Sequence, residues 1–160
     1  MLKQKSAIIT GSTSGIGLGI ARAFAEQGAD VMLNGFGNAD EIEFTRAELQ
    51  RRFGVKVRYS GADMSQPEQI RAMAELARHE FGKVDIVVNN AGIQHVAPVE
   101  EFPDAKWDAI LAINLSSALP NPFSMTSAPC SANARAMPRP MPLVEPVTMA
   151  DLCLSMMTNS

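Results

Sequence analysis

The residues best suited to chemistry lie near the start of the chain, in Thr10-Gly11-Ser12-Thr13-Ser14-Gly15-Ile16-Gly17. They follow a short apolar run, Ser6-Ala7-Ile8-Ile9, and open into a helical pattern of Ile16, Ile20, Ala23 and Phe24. Strand, glycine-rich turn and helix start, in that order, offer a phosphate unpaired backbone N–H groups and a positive dipole end without any charged side chain. Gly11, Gly15 and Gly17 permit the tight turn, the close approach of backbone to ligand, and that of helix to sheet. The two cysteines, Cys130 and Cys153, show neither metal-like nor disulfide-like spacing. Of the two histidines, His79 falls on the exposed side of a helical pattern and His95 in a loop with no evident partner.

The elements that must position this turn alternate along the chain. A strand over about Ser6 to Thr10 precedes a helix from about Ile16 to Gln27, with Gly28 after its last turn. Asp30 to Asn34 reads as a second strand, ended by Gly35-Phe36-Gly37. A helix follows from about Asp40 to Phe53, with Ile42, Leu49 and Phe53 on one face and Gly54 as its stop. Val55 to Ser60 alternates as a strand. Ser65 is the expected N-cap of the next helix, with Pro67 in its first turn, Ile70, Met73, Ala77 and Phe81 facing the core, and Gly82 closing it. Val84 to Val88 is a β-branched run of the kind buried on both faces, ending in Asn89-Asn90-Ala91-Gly92. A loop containing Pro98 and Pro103 leads to a helix with Trp107, Ile110, Leu111 and Asn114 on one face. Strands and helices alternating at these lengths predict an α/β fold, a Rossmann-like doubly wound parallel sheet with right-handed crossovers. Its ligands bind beyond the carboxyl ends of the strands, where the glycine turn, Phe36, Asp63 and Asn89–Gly92 converge.

Composition marks a boundary. All 11 glycines fall between Gly11 and Gly92, whereas seven of ten prolines and six of ten methionines fall within residues 119–160. That stretch carries only Arg135, Arg139, Glu145 and Asp151 as charged residues. The expected organisation is a dinucleotide-binding domain over 1–118, truncated after about four strands, then an irregular Pro/Met-rich tail over 119–160. There Pro120 and Pro122 stop any helix begun at Trp107, and Thr148 with Asp151 could cap a short one. A net charge of −3 with 19% charged residues makes nucleic acid a poor partner. No run approaches the roughly 20 apolar residues of a membrane span. Met1-Leu2-Lys3-Gln4-Lys5 leads straight into the first strand, so a cytoplasmic protein is expected.

Residues 1–118 resemble the short-chain dehydrogenase/reductase family throughout. The marks are Thr10-Gly11-xxx-Gly15-Ile16-Gly17, Asn89-Asn90-Ala91-Gly92 after a hydrophobic strand, Asp63 followed by apolar Met64, and Asn114 in the next helix. The run Gly92-Ile93-Gln94-His95-Val96-Ala97-Pro98-Val99-Glu100, with Leu33-Asn34-Gly35-Phe36, is similar to the branch that oxidises (R)-3-hydroxybutyrate to acetoacetate. The resemblance implies that Gly11, Ser12, Thr13, Ser14, Gly15, Ile16 and Gly17 hold a pyrophosphate. It implies that the Asp63 carboxylate accepts from the adenine amine while Met64 offers its backbone. Asn90, Ala91 and Gly92 would line the adenine-side ribose, or Asn90 would simply bridge two strands. Gln94 would reach a substrate carboxylate, or be a surface glutamine. Subunit association as a homo-tetramer, through the helix at Trp107, is also implied.

NAD enzymes of this class usually place an acid at the end of the second strand, and NADP enzymes a base. Asn34-Gly35-Phe36-Gly37 has neither, and no Lys or Arg lies nearby or in the glycine turn. A 2′-phosphate would go unpaired, so the expected cofactor is NAD and the expected substrate a small hydroxy acid. The family's serine, tyrosine and following lysine are a different matter. Tyr59, the single tyrosine, is followed four residues on by Asp63; the last lysine is Lys106; no Tyr-x-x-x-Lys exists. Asn114 is the sole catalytic-set member present. The alternative to a working dehydrogenase is therefore a nucleotide-binding remnant without turnover, and a third possibility, a reductase of acyl thioesters, fits the Gln94 loop less well. The abrupt compositional change after Ala118 also raises an altered reading frame, which the coding DNA would test.

Overall fold

A computed structural model describes residues 2–117. The expected boundary near Ala118, and every element assigned beyond it, lie outside the described residues. Four parallel strands, β1 (Ser6–Ile9), β2 (Asp30–Asn34), β3 (Val57–Ser60) and β4 (Ile86–Val88), form one sheet in the order β3-β2-β1-β4. They alternate with α1 (Gly15–Glu26), α2 (Ala39–Phe53), α3 (Pro67–Phe81) and α4 (Asp104–Ile110), the last continuing as a wider π-type turn over Leu111–Ser116. This is the Rossmann-like arrangement the alternation predicts. Register pairs Ser6 with Asp30 and Ala7 with Ile86, so the strand ends level off at one rim.

The core lies under β1 and β2. Ala7, Ile8, Ile9, Val31, Met32, Leu33, Leu49 and Val57 are completely buried, and each large aliphatic side chain among them contributes roughly 1.5–3 kcal/mol relative to exposure. Sequence and structure differ at several elements. The buried face of α1 is Gly17, Ala21, Phe24 and Ala25; Ile16, the second residue of the helix, lies off that face and is 75% exposed. The helix α3 starts one residue later than Ser65: Gln66 is its N-cap, and Ser65 belongs to a turn in which its N–H donates to Asp63 Oδ1 at 2.8 Å. Pro67 holds the first helical position as expected. The strand expected over Val55–Ser60 is only Val57–Ser60, and β4 is only half-buried instead of covered on both faces. Among the described residues β4 pairs on one side alone. The helix α4 buries no residue, and Trp107 is 57% exposed.

No helix among the described residues is long and apolar enough to cross a membrane.

Candidate dinucleotide site

The glycine turn begins where β1 ends. Gly11 and Gly15 have φ of +62° and +56°, a left-handed conformation that favours glycine. At Gly11 a Cβ would stand 2.9 Å from Ala91 Cα; at Gly17 it would collide with Gly11 O and lie 2.5 Å from Asn90 Nδ2. These two glycines let the turn, the start of α1 and the end of β4 pack backbone to backbone. Gly15, by contrast, would meet nothing within 4 Å and faces open space.

The start of α1 differs from those of the other helices. Ser14 sits at its N-cap without a side-chain cap bond, and no acidic residue occupies the first turn. The N-terminus of α2 is capped by Asn38 and followed by Asp40 and Glu41, while α3 and α4 place Glu68 and Asp104 in their first turns. The first-turn N–H groups of Gly15, Ile16 and Gly17 therefore face the rim with a positive dipole end that no side chain neutralises. Those donors and the open space at Gly15 fit the pyrophosphate of a dinucleotide.

Not every residue of the turn points outward. Ser12 is completely buried; its N–H donates to Asn34 O at 2.6 Å, its hydroxyl donates to Ile9 O at 2.7 Å, and it accepts the Asn34 N–H at 3.0 Å. Ser12 thus ties the turn to β2. Thr13 Oγ1 donates to Phe36 O at 2.9 Å, joining the turn to the loop after β2, where Phe36 is 67% exposed.

Asn90 closes the other side. Its Nδ2 donates to Thr10 O at 2.9 Å and Gly11 O at 3.1 Å, and its N–H and that of Ala91 donate to Thr10 Oγ1 at 3.0 and 2.9 Å. The side chain of Asn90 is a bridge between β1 and β4, the structural alternative raised by the sequence. Gly92 lies beside Asn114, whose Oδ1 accepts the Ile93 N–H and whose Nδ2 donates to Ile93 O, both at 2.9 Å. Asn114 clamps the Gly92–Ile93 backbone with both ends of its amide. Gln94 is exposed. His95 does have a partner: its ring meets Phe102 edge-on at 5.3 Å, and Phe102 meets Trp107 edge-on at 6.1 Å. His79 is exposed beside Glu80 at 3.6 Å.

On the β3 side, Asp63 is held by Ser65: the backbone N–H, then the hydroxyl, keep its carboxyl below the ordinary value. The Met64 side chain is core, packed with Ile8, Met32 and Ile70, which leaves only its backbone for a ligand. One organising residue escaped the sequence reading. Asn34 is 1% exposed; its Nδ2 donates to Ser60 O at 3.0 Å and Ala62 O at 2.9 Å, and its Oδ1 accepts the Gly11 N–H at 3.4 Å. A polar residue closing the apolar run Val31-Met32-Leu33 is the signal that could have found it.

A parallel α/β sheet with a glycine turn at the first strand end is a Rossmann-like fold. The short chain dehydrogenase family matches residues 5–127, more than half of the chain, and the chain belongs to that family of oxidoreductases. It is 57% identical over 118 residues to the D-beta-hydroxybutyrate dehydrogenase of Cupriavidus necator, covering 74% of this chain and 45% of that protein. It is 49% identical over 114 residues to the enzyme of the same name from Rhizobium meliloti, covering 71% and 44%. Among solved structures, the L-sorbose reductase of Gluconobacter frateurii complexed with NADPH and L-sorbose is 38% identical at a TM-score of 0.69, covering 73% of this chain and 44% of that one. The chain spans less than half the length of these relatives.

Proposed function

We propose that this chain binds NAD at the rim of β1, β2 and β4, and that its family reaction is the oxidation of (R)-3-hydroxybutyrate to acetoacetate. The observation that carries the binding reading is the start of α1: glycines with positive φ, no side-chain cap and no acid, under a family match that spans the turn. When bound, NAD supplies the hydride acceptor. The chain's residues hold and orient it. Within the Gly11–Gly17 turn, Gly15, Ile16 and Gly17 receive the pyrophosphate on backbone N–H groups, while Gly11 and Ser12, bonded to Asn34, shape the turn. Asp63 accepts from the adenine amine beside the Met64 backbone. Phe36, Asn90, Ala91 and Gly92 border the ribose. Gln94 is the candidate for the substrate carboxylate.

The choice of NAD over NADP rests on charge. Residues 10–17 and 34–40 contain no Lys or Arg, and the first turn of α2 adds Asp40 and Glu41, which repel a 2′-phosphate. The choice of substrate rests on the similarity to the two hydroxybutyrate dehydrogenases. Calorimetry with NAD and NADP tests the first; comparable affinities would reject it.

A second reading, nucleotide binding without turnover, is favoured by one observation: no Tyr-x-x-x-Lys occurs in the 160 residues. Tyr59 donates to Gly35 O within the nucleotide half. Without a positioned acid/base, turnover falls by roughly 10²–10⁴-fold. Absorbance at the NADH band with (R)-3-hydroxybutyrate separates the two: steady turnover by the pure chain rejects the second, and NAD binding without turnover rejects the first for this chain.

A further inference from the structure

The loop after β2 has no charged side chain, yet its backbone is held at two successive carbonyls. From β3, Tyr59 Oη donates to Gly35 O at 2.8 Å; from the glycine turn, Thr13 Oγ1 donates to Phe36 O at 2.9 Å. A peptide unit is planar and trans, so its C=O and N–H point to opposite sides. With Gly35 O drawn toward β3, the Phe36 N–H of the same unit is turned away from β3. The strand order β3-β2-β1 puts the glycine turn on that opposite side. Among the described residues, no acceptor takes this N–H. Gly35 has φ of +145°, and a Cβ there would come 2.7 Å from Thr13 Oγ1. The backbone passes too close to the turn for an acidic side chain at position 35, so any recognition made there must come from the backbone itself.

We infer that Tyr59 is a positioning residue for the cofactor: it locks the Gly35–Phe36 peptide so that the Phe36 N–H donates to the adenine-side ribose 2′-hydroxyl. This rests on the dinucleotide reading of the site. The donor replaces the acidic acceptor that the end of β2 lacks. It draws on a tyrosine that proton transfer leaves unused, since Asp63 stands where a lysine would be needed. Losing one neutral hydrogen bond weakens binding by about two- to tenfold.

The test is a cycle between protein and ligand, measured by calorimetry on the full 160-residue chain with NAD and its 2′-deoxyadenosine analogue. Wild-type chain should prefer NAD by about two- to tenfold, the worth of one hydrogen bond. In Tyr59→Phe that preference should shrink toward equality while circular dichroism still reports the folded sheet. A merely structural tyrosine would weaken both ligands alike and keep their ratio, which overturns the inference. A wild-type chain that binds both equally well also overturns it, whether or not the variant folds. A wild-type chain that binds neither overturns the inference together with the dinucleotide reading, so the two failures are distinguishable. Because Tyr59 is the single tyrosine, a sample carrying 13C only at tyrosine Cζ gives one ring resonance in the unaltered protein. That line should move with NAD and move less with the deoxy analogue; equal movement counts against the inference.

Discussion

The two flanks of the glycine turn are built differently. Toward β2 and β3 the principal joints are buried and multiply bonded: Ser12 and Asn34 lie at 1% exposure or less, and Asn34 alone reaches Gly11, Ser60 and Ala62, while the Thr13–Phe36 bond is the exposed exception. Toward β4 and α4 the Thr10–Asn90 bridge is part-buried, and the joints beyond it are comparably specific but stand in the open. Asn114 clamps Ile93 from an exposed position, and Val96 and Val99 are 89% and 91% exposed. Hydrogen bonds can fix geometry on either flank, but the first flank adds more apolar burial, the second contributing only the partly buried Ala91 and Ile113. The proposed adenine and pyrophosphate side therefore rests on the more buried joints, and the proposed substrate side on contacts that water can compete for.

That contrast can be broken by substitution. The largest effect should come from cutting the buried flank. Ile8→Ala is expected to cost about 2–5 kcal/mol, whereas Val99→Ala should stay within about 0.5 kcal/mol; urea denaturation of both checks this, and similar losses would erase the distinction. Next, Gly17→Ala drives a methyl into Gly11 O and Asn90, an overpacking of about 1–3 kcal/mol. NAD affinity should fall about five- to 150-fold if the same energy is lost from the site, as calorimetry would report.

Asn34→Ala strands the buried carbonyls of Ser60 and Ala62 and should cost about 1–3 kcal/mol, with Asn114→Ala costing less because water reaches Ile93. Equal midpoints in urea would count against the asymmetry. The smallest effect is in pH. The N–H and hydroxyl of Ser65 lower Asp63; at Asp85 burial raises the value, but Lys5, the Ser6 N–H and Lys83 outweigh it and the net shift is down. A lowered folded value means that the unfolded chain binds protons first. Both contributions are present above the ordinary 3.8 and are lost as pH falls through the folded values. Acid titration of Asp63→Asn should show a shallower loss below that point than wild type, while between pH 6 and 8 the gap between the two should stay constant.

Most of the strand–helix order was legible because hydrophobic period and glycine stops are local signals. Gly54 and Gly82 close α2 and α3 with φ of +68° and +82°, where the sequence put them. Failures came where a side chain acts at long range. Asn34 and Ser12 look like ordinary polar residues until segments 22 to 28 positions apart are brought side by side. Ser65 has the right type for a cap, but Asp63 two residues earlier captures its N–H. Ile16 fits the helical period yet faces outward, since the period fixes a stripe and not which stripe meets the sheet. The burial expected for β4 failed for a similar reason: Val and Ile content reports affinity for a core, and the neighbour that covers the second face is not written in the strand itself.

The Thr10–Asn90 bridge has a kinetic consequence. The β1–β2 wall of the site closes between residues 24 apart in register, whereas the bridge joins groups 80 residues apart. Loop closure costs entropy that grows with separation, and non-local pairings form late. The phosphate turn should acquire its second wall only in the final step of folding, so that dinucleotide binding marks the end of the process, not an intermediate. A refolding experiment that follows NAD binding beside the far-ultraviolet signal would see the helices return first and the ligand engage after them.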